Sequence, residues 1–133
     1  MKAIRIHEDG GPEVLRYEDV PAPEPAPGEV LVRLRAASLN HLDVWVRKGL
    51  PSVPKPRILG GDGAGVVEAL GAGVEGLAPG DRVVVNPGLE HGDTIGVVGE
   101  HRDGTHCELI AIASEQVFPL DDDLSFETAA AFP

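Results

Sequence analysis

Cysteine is nearly missing from this chain. Cys107 stands alone, which excludes an internal disulfide framework and any multi-cysteine zinc site. Basic residues are outnumbered two to one, 11 against 22 acidic, and the net charge of −11 with a pI near 4.7 opposes nucleic acid or an anionic membrane as a partner. Either would repel most of the surface; solubility is the plain reading of that charge. There is no apolar run long enough to span a bilayer, and Met1 to Arg5 leads straight into alternating, strand-like sequence rather than a signal-peptide core. A cytoplasmic protein is expected. What the chain has in quantity is turn formers, 17 Gly and 12 Pro, so many short strands and little helix are expected and the fold class is mostly β. Its 133 residues suffice for one domain with a real core and are too few for a two-domain enzyme.

The stretch Ile58 to Val85, ILGGDGAGVVEALGAGVEGLAPGDRVVV, holds two β-branched runs, Gly65 to Leu70 and Arg82 to Val85. Gly71, Gly73 and Gly76 permit positive φ between them, and Pro79-Gly80-Asp81 is a second turn signal. Gly71-Ala72-Gly73-Val74-Glu75-Gly76 also satisfies the G-x-G-x-x-G expression of a dinucleotide site. That fingerprint needs a helix whose first amides face a pyrophosphate, inside a βαβ unit. Pro79 and Gly80 interrupt the chain one turn later and the next strand starts at Arg82, so a loop between strands is expected.

Around this stretch the pattern stays β. Lys2 to Glu8 alternates, Asp9-Gly10-Gly11-Pro12 turns, and Val14 to Tyr17 returns as a hairpin. His7 reads as a solvated or edge residue. Pro21 to Pro27, PAPEPAP, reads as a stiff polyproline-II connection along the surface. In the strand Val30 to Ala37, alternation puts Val30, Val32 and Leu34 on one face and Leu31, Arg33 and Arg35 on the other. Ser38 or Asn40 can cap a short helix, His41 to Lys48, stopped by Gly49 and Pro51. Leu42, Trp45 and Val46 recur there at helical spacing, and Asp43 pairs with Arg47 at i, i+4. Asn40, His41, Asp43 and Trp45 gather polar and aromatic chemistry on this one element. Downstream, Asn86 to Leu89 leads into Glu90 to Thr94, polar and turn-rich, followed by Ile95 to Val98 and by a turn at Glu100 to Gly104. Thr105 to Ala113 reads as a strand and Gln116 to Leu120 follows it. Ser125 caps a last helix whose Ala129 to Phe132 run is expected to find nothing to pack on.

Four segments carry a resemblance: GGPEVLRYEDVPAPEPAPGEVLVRLRAASLNHLDVWVRKG, LGGDGAGVVEALGAGVEGLAPGDRVVVNPG, GEHRDGTHCELIAI and LSFETAAAFP. In this order, over nearly the whole chain, they resemble the N-terminal GroES-like catalytic domain of the medium-chain dehydrogenase/reductase superfamily. That superfamily includes zinc-type alcohol dehydrogenases and quinone oxidoreductases, and the chain looks most like bacterial NAD-dependent alcohol dehydrogenases. The resemblance implies a partly open β-barrel with a few short helices, spanning 1–133 as a single domain. It further implies that a Rossmann domain, holding NAD(P), would follow soon after Pro133. Without that domain no cofactor is expected on the isolated chain and no hydride transfer by it, since a hydride donor must be bound and aimed. The missing domain is then the expected partner, and the face it would cover is expected to drive self-association.

Departures from the zinc-type pattern concern metal. Where those relatives hold a cysteine and a histidine-glutamate pair for the catalytic zinc, this chain has Asn40 and Gly61-Asp62, so zinc is not expected. The LNHLD pattern resembles the zinc-free quinone-reductase branch, in which Asn40 and an aromatic near Trp45 would line the nicotinamide cleft. Asp43 keeps the family's acidic position in a supporting role. Between the NPG and GEH segments only Glu90 to Val98 remain, with no cysteine, so the four-cysteine structural zinc lobe is impossible. The short loop reads as a deletion and the chain as an engineered or minimised domain. His91, His101, His106 and Cys107 form an alternative metal set whose spacing matches no standard site. A rival expectation is a non-enzymatic scaffold or assembly module with the same barrel.

Overall fold

A computed structural model of the chain describes residues 1–91 and 93–133, with Glu90 and His91 as backbone alone. Strands β1 (Lys2–Ile6) and β2 (Leu15–Asp19) form the expected hairpin, Ile4 facing Tyr17, with a 3₁₀ turn at Pro12–Val14. The long strand β3 (Glu29–Ala37) runs into helix α1 (His41–Arg47). Next, β4 (Arg57–Ile58) joins β1 to complete a three-stranded sheet in the order β2-β1-β4.

The remaining strands build the main body. Strands β5 (Gly63–Leu70) and β6 (Arg82–Val85) are joined by a loop, as read from the sequence, and they pair antiparallel. A small hairpin of β7 (Gly88–His91) and β8 (Thr94–Val97) follows, then β9 (Leu109–Ala113) and β10 (Val117–Pro119). The five-stranded sheet has the order β10-β6-β5-β3-β9, antiparallel throughout. It curls into a half barrel because β3 and β5 slip register at Leu31/Val32 and again at Leu34/Ala36, and such bulges bend a sheet and sharpen its twist. Main-chain bonds from Ile4 N to the His106 carbonyl, 2.8 Å, and from Glu108 N to the Lys2 carbonyl, 3.1 Å, join the smaller sheet to it.

Aliphatic side chains fill the curl. Val30, Val32, Val67, Val83, Val85 and Ile112 are all at most 1% exposed, and each such burial stabilises by about 1.5–3 kcal/mol. Leu34 packs on the same side while Leu31 meets Leu109 and Ala111 on the other, so the alternation read for β3 holds. No helix among the described residues is long and apolar enough to cross a membrane.

The G-x-G-x-x-G segment is the β5–β6 loop. A Cβ on Gly71 would lie 1.9 Å from the Ala26 carbonyl oxygen, and Gly71 N donates to the Glu29 carbonyl at 2.7 Å. Gly73 and Gly76 take φ of +79° and +78°. Close backbone approach and left-handed turns account for all three glycines.

Four expectations need correction. Glu90, His91 and Thr94, read as polar turn, belong to strands, because the pairing of Gly88–His91 with Thr94–Val97 supplies a ladder that their composition does not advertise. The strand read from Thr105 begins only at Leu109; residues 104–106 bond instead to the 58–60 backbone. Asp43 does not pair with Arg47: its carboxyl takes backbone N–H groups, and Arg47 Nε donates to the Gly10 carbonyl. Finally, the first half of the Ala129 to Phe132 run, at the end of α2 (Phe126–Ala130), does pack, while Ala131 and Phe132 stay exposed, Phe132 at 83%. Ala129 and Ala130 are 1% exposed against Ala64, with Leu120 and Leu124 beside them.

Candidate functional site

Where β3 ends, Ser38 and Asn40 turn the chain into α1, and Asn40 and Asp43 form a capping box. Asn40 N donates to Asp43 Oδ2 at 2.7 Å, while Asp43 Oδ1 accepts from Gly60 N at 2.8 Å. Asp43 is therefore a buried strut, 6% exposed, tying the helix start to the β4–β5 connection. Gly60 allows that approach: its φ is +98°, and a Cβ there would lie 2.5 Å from Thr105 Oγ1.

Two residues further on, Asp62 is 4% exposed. Its Oδ2 accepts from Asn40 Nδ2 at 2.6 Å and from Ser38 Oγ at 2.9 Å. Its backbone carbonyl accepts from Thr105 Oγ1 at 2.8 Å, and His106 Nε2 meets the Ser38 carbonyl at 3.0 Å. A cleft of about 250 Å³ opens beside this network, lined by Asn40, Gly61, Asp62, Pro87, Val97 and Pro133. Buried polar groups cost free energy unless partnered, and here each partner is supplied from the rim of the curled sheet.

Asn40, Asp43, Gly61 and Asp62 thus meet in space. Trp45 lies a turn along α1, 54% exposed, its ring centroid 6.1 Å from that of His41. Val46, by contrast, is the buried anchor of the helix. Ser38, Thr105, Pro87 and Pro133 were not singled out as site residues; their only sequence signal is proximity to Asn40 or to turns, which does not reveal what folds against them.

Of the alternative metal set, the three members with described side chains have other partners. His101 Nδ1 accepts from Val97 N at 3.0 Å, and His106 serves Ser38. Cys107 Sγ points at the Gly104 and Leu109 carbonyls, and burial pushes its thiol up to about 12, a poor ligand at neutral pH. The His91 side chain lies outside the described residues. Among those described, no group of three or more His, Cys, Asp or Glu side chains is placed to hold a metal ion.

The donor set at the cleft does not fit zinc either. Asp62 is spent on two side-chain donors, and an amide, a serine hydroxyl and one carboxyl are not the three N, S or carboxylate ligands that a catalytic zinc takes.

Curled antiparallel sheets over an aliphatic core, with two short helices among the described residues and a cleft at the rim, define a GroES-like fold. The chain belongs to the alcohol dehydrogenase GroES-like domain family, whose model matches residues 26–122. It is 41% identical over 131 residues to a quinone oxidoreductase of Pseudomonas aeruginosa, covering 98% of this chain and 36% of that protein. It is 36% identical over 139 residues to a zinc-type alcohol dehydrogenase-like protein of Schizosaccharomyces pombe, covering 96% and 40%. The crystal structure of an NAD-dependent alcohol dehydrogenase superposes with a TM-score of 0.95 at 51% identity, covering all of this chain and 43% of that one. The chain therefore spans well under half the length of these relatives.

Proposed function

We propose that this barrel is the substrate-side domain of a zinc-independent, NAD(P)H-dependent oxidoreductase of the quinone oxidoreductase kind, and that it needs a cofactor-binding domain to act. The observation that carries the reading is the Asp62 network. At the position where zinc-type relatives hold metal, a buried carboxyl is closed off by Asn40 and Ser38. That arrangement satisfies the carboxyl without a Lewis acid.

The nicotinamide would supply the hydride. The chain's own residues would shape and orient the site: Asn40, exposed at the cleft mouth, and Trp45, exposed along α1, offer a polar and an apolar contact. Asp43 and Asp62 hold the Asn40 backbone and side chain, so the contact is preorganised rather than floppy. The share of the relatives' length that the chain covers supports a second domain as the source of cofactor contacts. Residues 1–133 by themselves then bind no nicotinamide and transfer no hydride. A cytoplasmic setting belongs to the same proposal.

The zinc-free part is tested by elemental analysis of the purified chain after dialysis. Metal below one-tenth of an equivalent is expected; a stoichiometric equivalent that resists dialysis and is lost in Asp62→Ala would overturn it. Leu39 and Leu50 are 74% and 72% exposed, and exposed apolar patches promote association. Light scattering is accordingly expected to show mass rising with concentration, and a strictly monomeric mass would count against an uncovered interface.

A further inference from the structure

We propose that Arg82 is a positioning residue for the cleft: it locks the turn before α2 and thereby sets where Pro133 stands against Asn40 and Asp62. Arg82 opens β6, and its carbonyl accepts from Leu120 N at 2.8 Å. Its guanidinium spans the following turn, Nη1 donating to the Asp121 carbonyl at 2.9 Å and Nη2 to the Leu124 carbonyl at 2.5 Å. The guanidinium carbon lies 4.6 Å from the centre of the Phe126 ring, on the first residue of α2. A planar fork with separate nitrogens can bridge two carbonyls and stack on a ring at once; an ammonium cannot do all three.

The polar partners of Arg82 lie in residues 121–124, none of them in the cleft, so its influence passes through α2. That helix has only five residues, too few to hold itself. It is fixed by the packing of Ala129 and Ala130 on Ala64 at one end, and at the other by the Ser125 cap, whose Oγ accepts from Thr128 N at 3.1 Å, together with the Arg82 clamp. Its last turn, closed by bonds from Ala131 N and Phe132 N, delivers Pro133 to the cleft wall. Leu124 and Phe126, which pack beside that contact, are themselves held by the Arg82 guanidinium, Leu124 through its carbonyl and Phe126 through its ring. The clamp therefore decides the helix's register along the sheet.

The test is NMR on the purified chain, independent of cofactor or activity. In Arg82→Gln, amide exchange at Ala129 and Phe132 should quicken at least tenfold and the Asn40 side-chain amide resonances should shift. Val30 and Val32 amides in the β3–β9 ladder should keep their protection. Arg82→Lys should recover part of the protection, and Asp122→Ala, at a fully exposed partner 3.9 Å away, should change nothing. Unaltered exchange in α2, or a loosened α2 with the Asn40 resonances unmoved, would overturn the proposal. If Arg82→Gln does not fold, Phe126→Leu should shift both readouts in the same direction by less, and no shift in either would overturn it equally.

Discussion

Asp62 sits at 4% exposure with two side-chain donors aimed at one carboxyl oxygen. Removing it takes the charged acceptor from exposed Asn40 and half-buried Ser38, and hydrogen bonds to a charged group are worth more than neutral ones. Asp62→Ala should therefore lower unfolding free energy by about 1–3 kcal/mol in urea titration, and Asp62→Asn by less, since an acceptor oxygen remains. A loss within error for the alanine variant would show that the network is solvated rather than closed. Cys107 makes a prediction about pH. Burial raises its thiol from 9.0 to about 12 in the folded chain, so the fold binds the proton more tightly than the unfolded chain does. The stability it confers is complete below about pH 9, declines as pH rises and is gone above about pH 12. The stability difference between the native chain and Cys107→Ala should shift against the native chain across that interval, and a constant difference would contradict the burial.

Among the elements, the β5–β6 loop separates two kinds of glycine. Gly71→Ala forces a Cβ into the Ala26 carbonyl at 1.9 Å and should cost about 3 kcal/mol or more, since backbone must move. Gly73 faces open space at positive φ, so Gly73→Ala should cost only about 1–2 kcal/mol. Equal costs in thermal unfolding would mean that the loop is not wedged against residue 26. The strands were legible because β-branched alternation is a local property: Val30 and Val32 announce which way they face. The hairpin strand Gly88–His91 was not, since only its partner makes it a strand. Nor was the seat of α2, because Ala64, which receives Ala129 and Ala130, lies more than sixty residues earlier. The same distance problem hid the site's wiring. Asn40 and Asp62 could each be placed by resemblance, but their 2.6 Å bond, and the diversion of Asp43 from Arg47 to Gly60, depend on how α1 meets the β4–β5 connection.

For the molecule as a whole, the half barrel presents a cleft at its rim beside the Asp62 network, and Leu39, Trp45 and Leu50 are exposed on its surface. It covers 36–43% of the relatives and solved structure it resembles. The glycine-rich segment most suggestive of a nucleotide is a loop between antiparallel strands, with no helix behind it to receive a pyrophosphate. The central claim is that the barrel supplies the substrate side of a hydride-transfer site and the nicotinamide comes from elsewhere. Titration of the purified chain with NADH and NADPH, followed by calorimetry, tests it most directly. The account predicts no saturable heat up to millimolar cofactor; saturable binding at one site per chain would contradict it.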